Sequence, residues 1–399
     1  MAAMQAPTAA SLTSLRAEAP ITSRIPLSGL PVEVPDVVGA SGCVLRTVDG
    51  RELIDFESGV WCANLGHGHP AVTAALVKQA VAVTHVGYRW AHPVIAEAHA
   101  RLCEVTGLAD GRAVLLASGS EAVELGIRIA SSVTGRDAVL RFSGHYLSAY
   151  GAAGAPGTGR QVTVEELDAM DSRQRRDALA RIAAVVLEPG NASGLVRLPD
   201  AERVARVVDE VRAAGGLLVV DEVTTGFGRT GRWFGFQHVG VRPDIVAVGK
   251  GAGNGYPVSA VVVAREVADR TTRAGLRYAQ SHQDDPLGAA VLLAVIEAIE
   301  AEGLLSAAVA RGAQLTSGLA ALAASGLGVR AVRGRGLMCA FDVASGAAAR
   351  TQSSLLDHGY LVGAHLARDT IRVYPPLVVT PAQIEGFLAA ARATLSAVG

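Results

Sequence analysis

Three features of this 399-residue sequence predict an α/β fold. Strand-like and helix-like stretches alternate from about residue 60 to 285. The strand-like runs are continuously apolar rather than alternating in and out, which marks strands buried on both faces of a mostly parallel sheet flanked by helices. Before residue 60 and after 286 the pattern changes to a hairpin and to long helical stretches, so the two ends of the chain are expected to share a second, smaller α+β unit.

The elements follow in order. Residues 1–27 are rich in Ala, Ser, Thr and Pro, without a basic head and compact apolar core, and read as a flexible arm rather than a signal peptide. Val44 to Phe56 reads as a hairpin turned at Asp49-Gly50. Ala71 to Val83 is an amphipathic helical stretch that places Lys78 in solvent. Ala113 to Ala117 is a strand, followed by Ser118-Gly119-Ser120 and a helix from Glu121 to about Val133. Ala183 to Leu187 and Leu217 to Val220 are short apolar runs that end at Glu188 and Asp221, and Asp244 to Gly249 is another that ends at Lys250. Two long helical patterns after 286 precede Leu337 to Phe341, a further helix, and the strand-like Ile371 to Tyr374. The expected division is 61–286 for the large unit, with 28–60 and 287–399 forming the small one.

Half of the residues are hydrophobic and 18% are charged, enough apolar surface for one large core and a smaller one. The net charge of −1, with no block of like charges, gives no electrostatic case for nucleic acid or an anionic membrane, so small molecules are the expected partners. Cys43, Cys62, Cys103 and Cys339 are far apart and form neither a metal-ligand spacing nor a disulfide framework, which suits a reducing, cytoplasmic setting with no metal. No apolar run reaches the roughly 18 to 20 residues that span a bilayer.

Only two lysines occur, and Lys250 ends an apolar strand just before the glycine-rich turn Gly251-Ala252-Gly253. Arginine fills nearly every other cationic position, so a retained amine points to chemistry that a permanently charged guanidinium cannot do, namely attack on a carbonyl. In parallel sheets functional residues collect at the carboxyl ends of strands, where Ser118, Glu188, Asp221 and Lys250 all fall. Ser118-Gly119-Ser120 offers hydroxyls and a helix N-terminus to a phosphate, or simply caps its helix. Asp221 needs a buried partner, either a protonated pyridine or a structural donor. The stretch around Lys250 lacks the residues of a nucleotide P-loop and its glycines do not fit G-x-G-x-x-G. A phosphate cup, a buried carboxylate and a strand-end amine together match the needs of pyridoxal 5′-phosphate.

From about residue 28 onward the chain resembles the class III aminotransferases, pyridoxal-phosphate enzymes of fold type I. The resemblance rests on Ile54-Asp55-Phe56-Glu57-Ser58-Gly59, Asn64 to Pro70, Ser118 to Glu124, Glu188-Pro189, Asp221-Glu222-Val223 with Thr225 to Gly231, Pro243 to Lys250, and Pro375-Pro376-Leu377. It implies that Lys250 forms the internal aldimine and shuttles a proton, and that Asp221 holds the pyridinium proton. It further implies that Gly119 and Ser120, with Ser118 at the edge, bind the phosphate, that Tyr146 and Val223 flank the ring, and that Glu188 lies beneath it. Ser281 matches a family threonine that reaches the neighbouring subunit's phosphate, which implies a homodimer at least, with a tetramer open. Leu147 stands where the family commonly has a histidine, and the stretch from Tyr146 to Glu188 is shorter than usual.

For substrates, Trp61 in Gly59-Val60-Trp61-Cys62 is similar to a pocket tryptophan of the omega-transaminases, and a core role for it stays open. Arg372 matches an arginine that grips a substrate carboxylate in several relatives. Some of these carry a glutamate after the Glu-Pro motif that masks the arginine; residues 189–194 hold none, so Arg372 is expected to stay available. The resemblance implies transfer of an amino group from an amine or amino acid to a keto acid, ketone or aldehyde. Two alternatives remain at this stage: decarboxylation-dependent transamination, suggested by Asp284-Asp285-Pro286-Leu287 but opposed by Val60, and a catalytically inactive interaction protein.

Overall fold

The computed structural model of the protein describes residues 36–154, 160–190 and 194–398, so the arm expected over residues 1–27 lies outside the described residues. β1 (Val37–Ser41), β2 (Val44–Thr47) and β3 (Glu52–Asp55) form an antiparallel meander. The β2–β3 connection turns at Asp49-Gly50 as expected. Gly50 takes φ +86°, which an Asp-Gly turn requires, and its N–H donates to the Thr47 carbonyl at 3.0 Å. Lys78 lies exposed on the helix Pro70–Ala82.

The central sheet holds seven strands, β4 (Arg112–Leu116), β5 (Ala138–Arg141), β6 (Gln161–Thr163), β7 (Ile182–Leu187), β8 (Leu217–Asp221), β9 (Ile245–Val248) and β10 (Ser259–Val263), in the order β4-β10-β9-β8-β7-β5-β6. The pairs from β6 through β9 are parallel. β10 alone runs against its neighbours β9 and β4, because the 249–258 connection is shorter than the dozen or so residues a parallel crossover needs.

Every residue of β7, β8, β9 and β10 is buried, which accounts for their unbroken apolar sequences. One face, with Val186 and Val219, packs on the helix Gly119–Thr134; Gly126 of that helix sits where a Cβ would lie 3.3 Å from both Val219 and Ile245. The other face, with Val185, Leu218 and Val220, packs on Val204, Val207 and Val211 of the helix Ala201–Ala213. This layering leaves the strand carboxyl ends as the open edge between the helices.

The C-terminal part contributes a third sheet, β11-β12-β15-β14, in which β11 (Ala331–Arg335), β12 (Met338–Asp342), β15 (Thr370–Val373) and β14 (Gly363–His365) pair antiparallel. Between β12 and β14, β13 (Tyr360–Leu361) joins the first sheet and runs parallel to β3. The two ends of the chain thus share a sheet.

Arg229 fastens these parts together. Fully buried, it donates to the carbonyls of Leu337 and Pro375, to Asn64 Oδ1 at 2.8 Å and to Ser58 Oγ at 3.2 Å. Burial lowers its pKa to about 10, so it stays protonated at neutral pH. Arg229→Met is expected to strand these buried acceptors and to cost on the order of 3 kcal/mol or more, read as a lower midpoint in chemical denaturation.

Candidate active site

At the carboxyl ends of β4, β8 and β9 lies a cavity of about 430 Å³. Its walls include Ser118, Gly119 and Ser120 from the junction after β4, Asp221 and Val223 from the end of β8, and Lys250 from the end of β9. Trp61, Tyr146 and Arg372 complete it. Of the cofactor- and substrate-binding residues expected from the sequence, only Glu188 and Ser281 are not walls of this cavity.

Lys250 sits at φ +45°, a left-handed conformation that a non-glycine residue adopts at a cost of about 1–3 kcal/mol and that is concentrated at functional sites. Its Nζ donates to Thr224 Oγ1 at 2.9 Å and lies 5.1 Å from the centre of the Trp61 ring. Burial lowers its pKa, with the charge of Asp221 opposing, so more of the amine is in its nucleophilic neutral form than in water. Asp221 is 4% exposed. Burial pushes its carboxyl up to about 7, against the Val223 N–H that it accepts at 3.0 Å and the charge of Lys250. A buried carboxylate with one hydrogen bond is under-compensated, and a cation beside it would restore its charge.

Its neighbour Glu222 points elsewhere and accepts from Thr225 Oγ1, Gly235 N–H and Phe236 N–H at 2.7 to 2.8 Å, which ties down the following loop. Burial nonetheless raises it to about 7.

Ser118 is the N-cap of the helix Gly119–Thr134, its Oγ accepting the Glu121 N–H at 3.2 Å, while its carbonyl is held by Ser259 Oγ at 2.8 Å. The capping alternative therefore describes its side chain. Gly119 and Ser120, the first residues of that helix, line the cavity, and a helix start favours anions. Ser120 Oγ accepts the Ala149 N–H at 2.9 Å. A Cβ on Gly119 would lie 2.5 Å from Val223 Cγ1, so only glycine lets the two loops close here. Gly119→Ala is expected to displace Val223 and to weaken cofactor binding at least tenfold, about 1.4 kcal/mol, measured by titrating the apoprotein.

Tyr146 is half exposed, and its N–H donates at 3.1 Å to Glu188, which is itself buried. Leu147, where the family's histidine is absent, is a buried wall of the cavity. Ser281 is exposed and lies outside the cavity. The sequence reading expects no metal; among the described residues His85, His282 and Asp285 bring their ligand atoms within 4.8 Å of one another, and none of the three is a wall of this cavity.

Trp61 is both core and wall. It is 7% exposed, its ring centre lies 5.3 Å from that of Tyr374 at a tilt of 30°, and it is presented by a turn in which Ser58, Gly59, Val60 and Trp61 all have φ between +51° and +69°. Trp61 N–H donates to the Glu57 carbonyl at 2.8 Å, so the segment is one turn of left-handed helix. That conformation costs about 1–2 kcal/mol for each of its three non-glycine residues. It persists because Asp55 accepts the Glu57 and Gly59 N–H groups at 2.8 Å and the Ser58 hydroxyl donates to the Tyr374 carbonyl.

The expectation that Arg372 stays available is corrected by the structure. Its Nη2 donates to Glu57 Oε1 at 2.8 Å, and its guanidinium lies 5.0 Å from the Trp61 ring centre. No glutamate follows Glu188-Pro189, but one arrives from the far end of the sequence, 315 residues away. Thr224 and Glu57 are the site residues that sequence reasoning missed. Thr224 directly follows the Asp221-Glu222-Val223 motif, whereas no spacing links Glu57 to Arg372.

The residues present fit pyridoxal 5′-phosphate: an amine with lowered pKa, a buried carboxylate in need of a cation, and an open helix start for an anion, all on one cavity. The family model for Aminotransferase class-III matches residues 31–148 and 149–395. The acetylornithine aminotransferase of Mycobacterium tuberculosis is 34% identical over 374 residues, covering 90% of this chain and 91% of that protein. The 5-aminovalerate aminotransferase of Pseudomonas putida is 36% identical over 336 residues, covering 76% and 78%. Among solved structures, an (S)-enantioselective omega-transaminase from Thermomicrobium roseum aligns with a TM-score of 0.81 at 28% identity, covering 91% of this chain and 92% of that one. An S-selective transaminase from Arthrobacter shares the fold with a TM-score of 0.84 at 24% identity, covering 91% and 93%. The chain belongs to the class III aminotransferases, pyridoxal-phosphate-dependent enzymes of fold type I that move an amino group from an amine or amino acid to a carbonyl acceptor.

Proposed function

We propose that Lys250 is the residue that would hold the aldehyde of the cofactor and move the proton at the substrate carbon, and that Asp221 would meet the charge of the ring nitrogen. Gly119 and Ser120, with Ser118 at the edge, would take the phosphate and Tyr146 and Val223 would flank the ring; Glu188 accepts the Tyr146 backbone N–H. The observation that carries this reading is the convergence of Lys250, Asp221 and the Gly119–Thr134 helix start on one cavity. When bound, the cofactor supplies an electron sink for the substrate carbon. The protein supplies position and charge: Thr224 orients the amine, and burial keeps it ready to accept and release a proton.

In this reading residues 61–286 form the cofactor-binding unit and 28–60 with 287–399 the smaller one, in keeping with the sheet shared by β3 and β13; within these ranges 28–35, 155–159, 191–193 and 399 lie outside the described residues. The active unit is a homodimer at least, in which exposed Ser281 reaches the phosphate held by a second copy. A cytoplasmic location suits the four free cysteines.

The substrate assignment is omega-type: donors whose amine is remote from a carboxylate, or that carry an apolar group for Trp61, with a keto acid, ketone or aldehyde as acceptor. Trp61 as a wall of the cavity supports it. So do the relative named for 5-aminovalerate and the omega-transaminase of similar structure. The test is the visible spectrum of the holoenzyme on addition of amines and amino acids with no acceptor present. Conversion to the pyridoxamine form by omega-amino acids or arylalkyl amines is expected; conversion by α-amino acids alone would overturn the omega-type assignment.

A further inference from the structure

The pairing of Glu57 with Arg372 bears on which substrates enter the cavity. Both side chains are largely withdrawn from solvent, 15% and 17% exposed, so this is not a screened surface pair. Their slot is fitted by glycines: a Cβ at Gly363 would collide with Glu57 Oε1 and Arg372 Nε, and one at Gly194 with Arg372 Cδ. Glu57 directly precedes the left-handed turn that carries Val60 and Trp61, and its partner Arg372 lines the same cavity as Val60, Trp61 and Lys250, with the Trp61 ring centre 5.0 Å from the guanidinium and 5.1 Å from Lys250 Nζ.

The pair is incomplete in one respect. Arg372 Nε is buried without a hydrogen-bond acceptor, while Nη2 is held by a single Glu57 oxygen. The Nε/Nη2 edge that grips a carboxylate through two parallel hydrogen bonds is therefore only half used. A second carboxylate could make both bonds where Glu57 makes one.

We infer that Glu57 is a specificity-determining residue: it neutralises Arg372 in the resting cavity, so that a substrate without a carboxylate lodges against Trp61 with the pair intact, whereas a substrate carboxylate binds by displacing Glu57 from the guanidinium. This deepens the proposed function and rests on its reading that Trp61 and Arg372 face the substrate. The enzyme then handles two substrate classes in turn with one surface, and the competition from Glu57 sets the penalty for the carboxylate class.

The test is calorimetric binding of propionate and propionamide to the full-length holoenzyme, neither of which can donate an amino group. Glu57→Gln keeps an oxygen for Arg372 Nη2 and removes the charge. It is expected to bind propionate about tenfold more tightly or better than the unaltered enzyme, with propionamide unchanged. Arg372→Leu is expected to lose the preference for propionate. If Arg372→Leu weakens propionate while Glu57→Gln leaves it unchanged, the masking role of Glu57 is overturned and the carboxylate role of Arg372 stands. If Arg372→Leu binds propionate as the unaltered enzyme does, both are overturned. Should Glu57→Gln fail to fold, Glu57→Asp draws the carboxylate back by one methylene and is expected to shift propionate binding in the same direction by a smaller factor; no shift would overturn the inference equally.

Discussion

Lys250→Ala protein is expected to fold and to lose amino transfer, with the rate down by on the order of 10²–10⁴-fold for the proton-transfer role alone and further for the lost attachment. Retention of fold follows from the surroundings of the lysine. It follows β9, whose residues are buried by the sheet and not by Lys250, and the one hydrogen bond of its amine among the described residues is to Thr224. Removing the amine also removes the desolvation that lowers its pKa. No arginine can replace it, since a guanidinium neither attacks an aldehyde nor gives up a proton at neutral pH. The check is the melting curve of the variant beside its visible spectrum and single-turnover rate. A variant that transfers at the native rate would refute the lysine assignment.

Much of this site could be read in the sequence because each part ends an unbroken apolar run. β8 and β9 are buried along their whole length, so Asp221 and Lys250 mark where strands emerge from the core, and parallel strands emerge on one edge. The features that escaped are those for which hydrophobic pattern carries no signal. The direction of β10 is set by the length of its connection, not by its own residues. Ser58 to Trp61 looks like any short loop in sequence, and its left-handed turn is held by the nearby Asp55 and, from two distant segments, by Tyr374 and Arg229. Ser118 reads equally as cap or ligand in the sequence, because one hydroxyl serves either use. The pairing of Glu57 with Arg372 depends on β13 and β3 joining the ends of the chain, a long-range event that neither segment encodes alone.

Asp221→Asn is expected to move stability and activity in opposite directions. In the apoprotein the carboxyl is raised from its ordinary 3.8 to about 7, chiefly by burial. The folded state therefore binds its proton more tightly than the unfolded chain. The sign follows: between roughly pH 4 and 7 the unfolded chain releases this proton first, so the contribution of Asp221 to apoprotein stability falls as pH rises through that window. An asparagine carries no charge to desolvate. The apo variant should be more stable than the unaltered apoprotein at pH 8, by on the order of 2–4 kcal/mol, and the gap should close towards pH 4. Glu222, also raised to about 7, remains in both proteins; burial is the chief cause of its shift and the charge of Asp221 the smallest, so the difference between their curves reports mainly Asp221. With the cofactor bound the balance reverses. A cation beside Asp221 makes its charge favourable, and the variant forfeits the stabilisation of developing charge on the ring, a loss of about 10²–10³-fold in transfer rate. Melting temperatures of both apoproteins from pH 4 to 8, set beside their transfer rates, decide the matter: a variant less stable at every pH would make Asp221 a structural carboxylate instead.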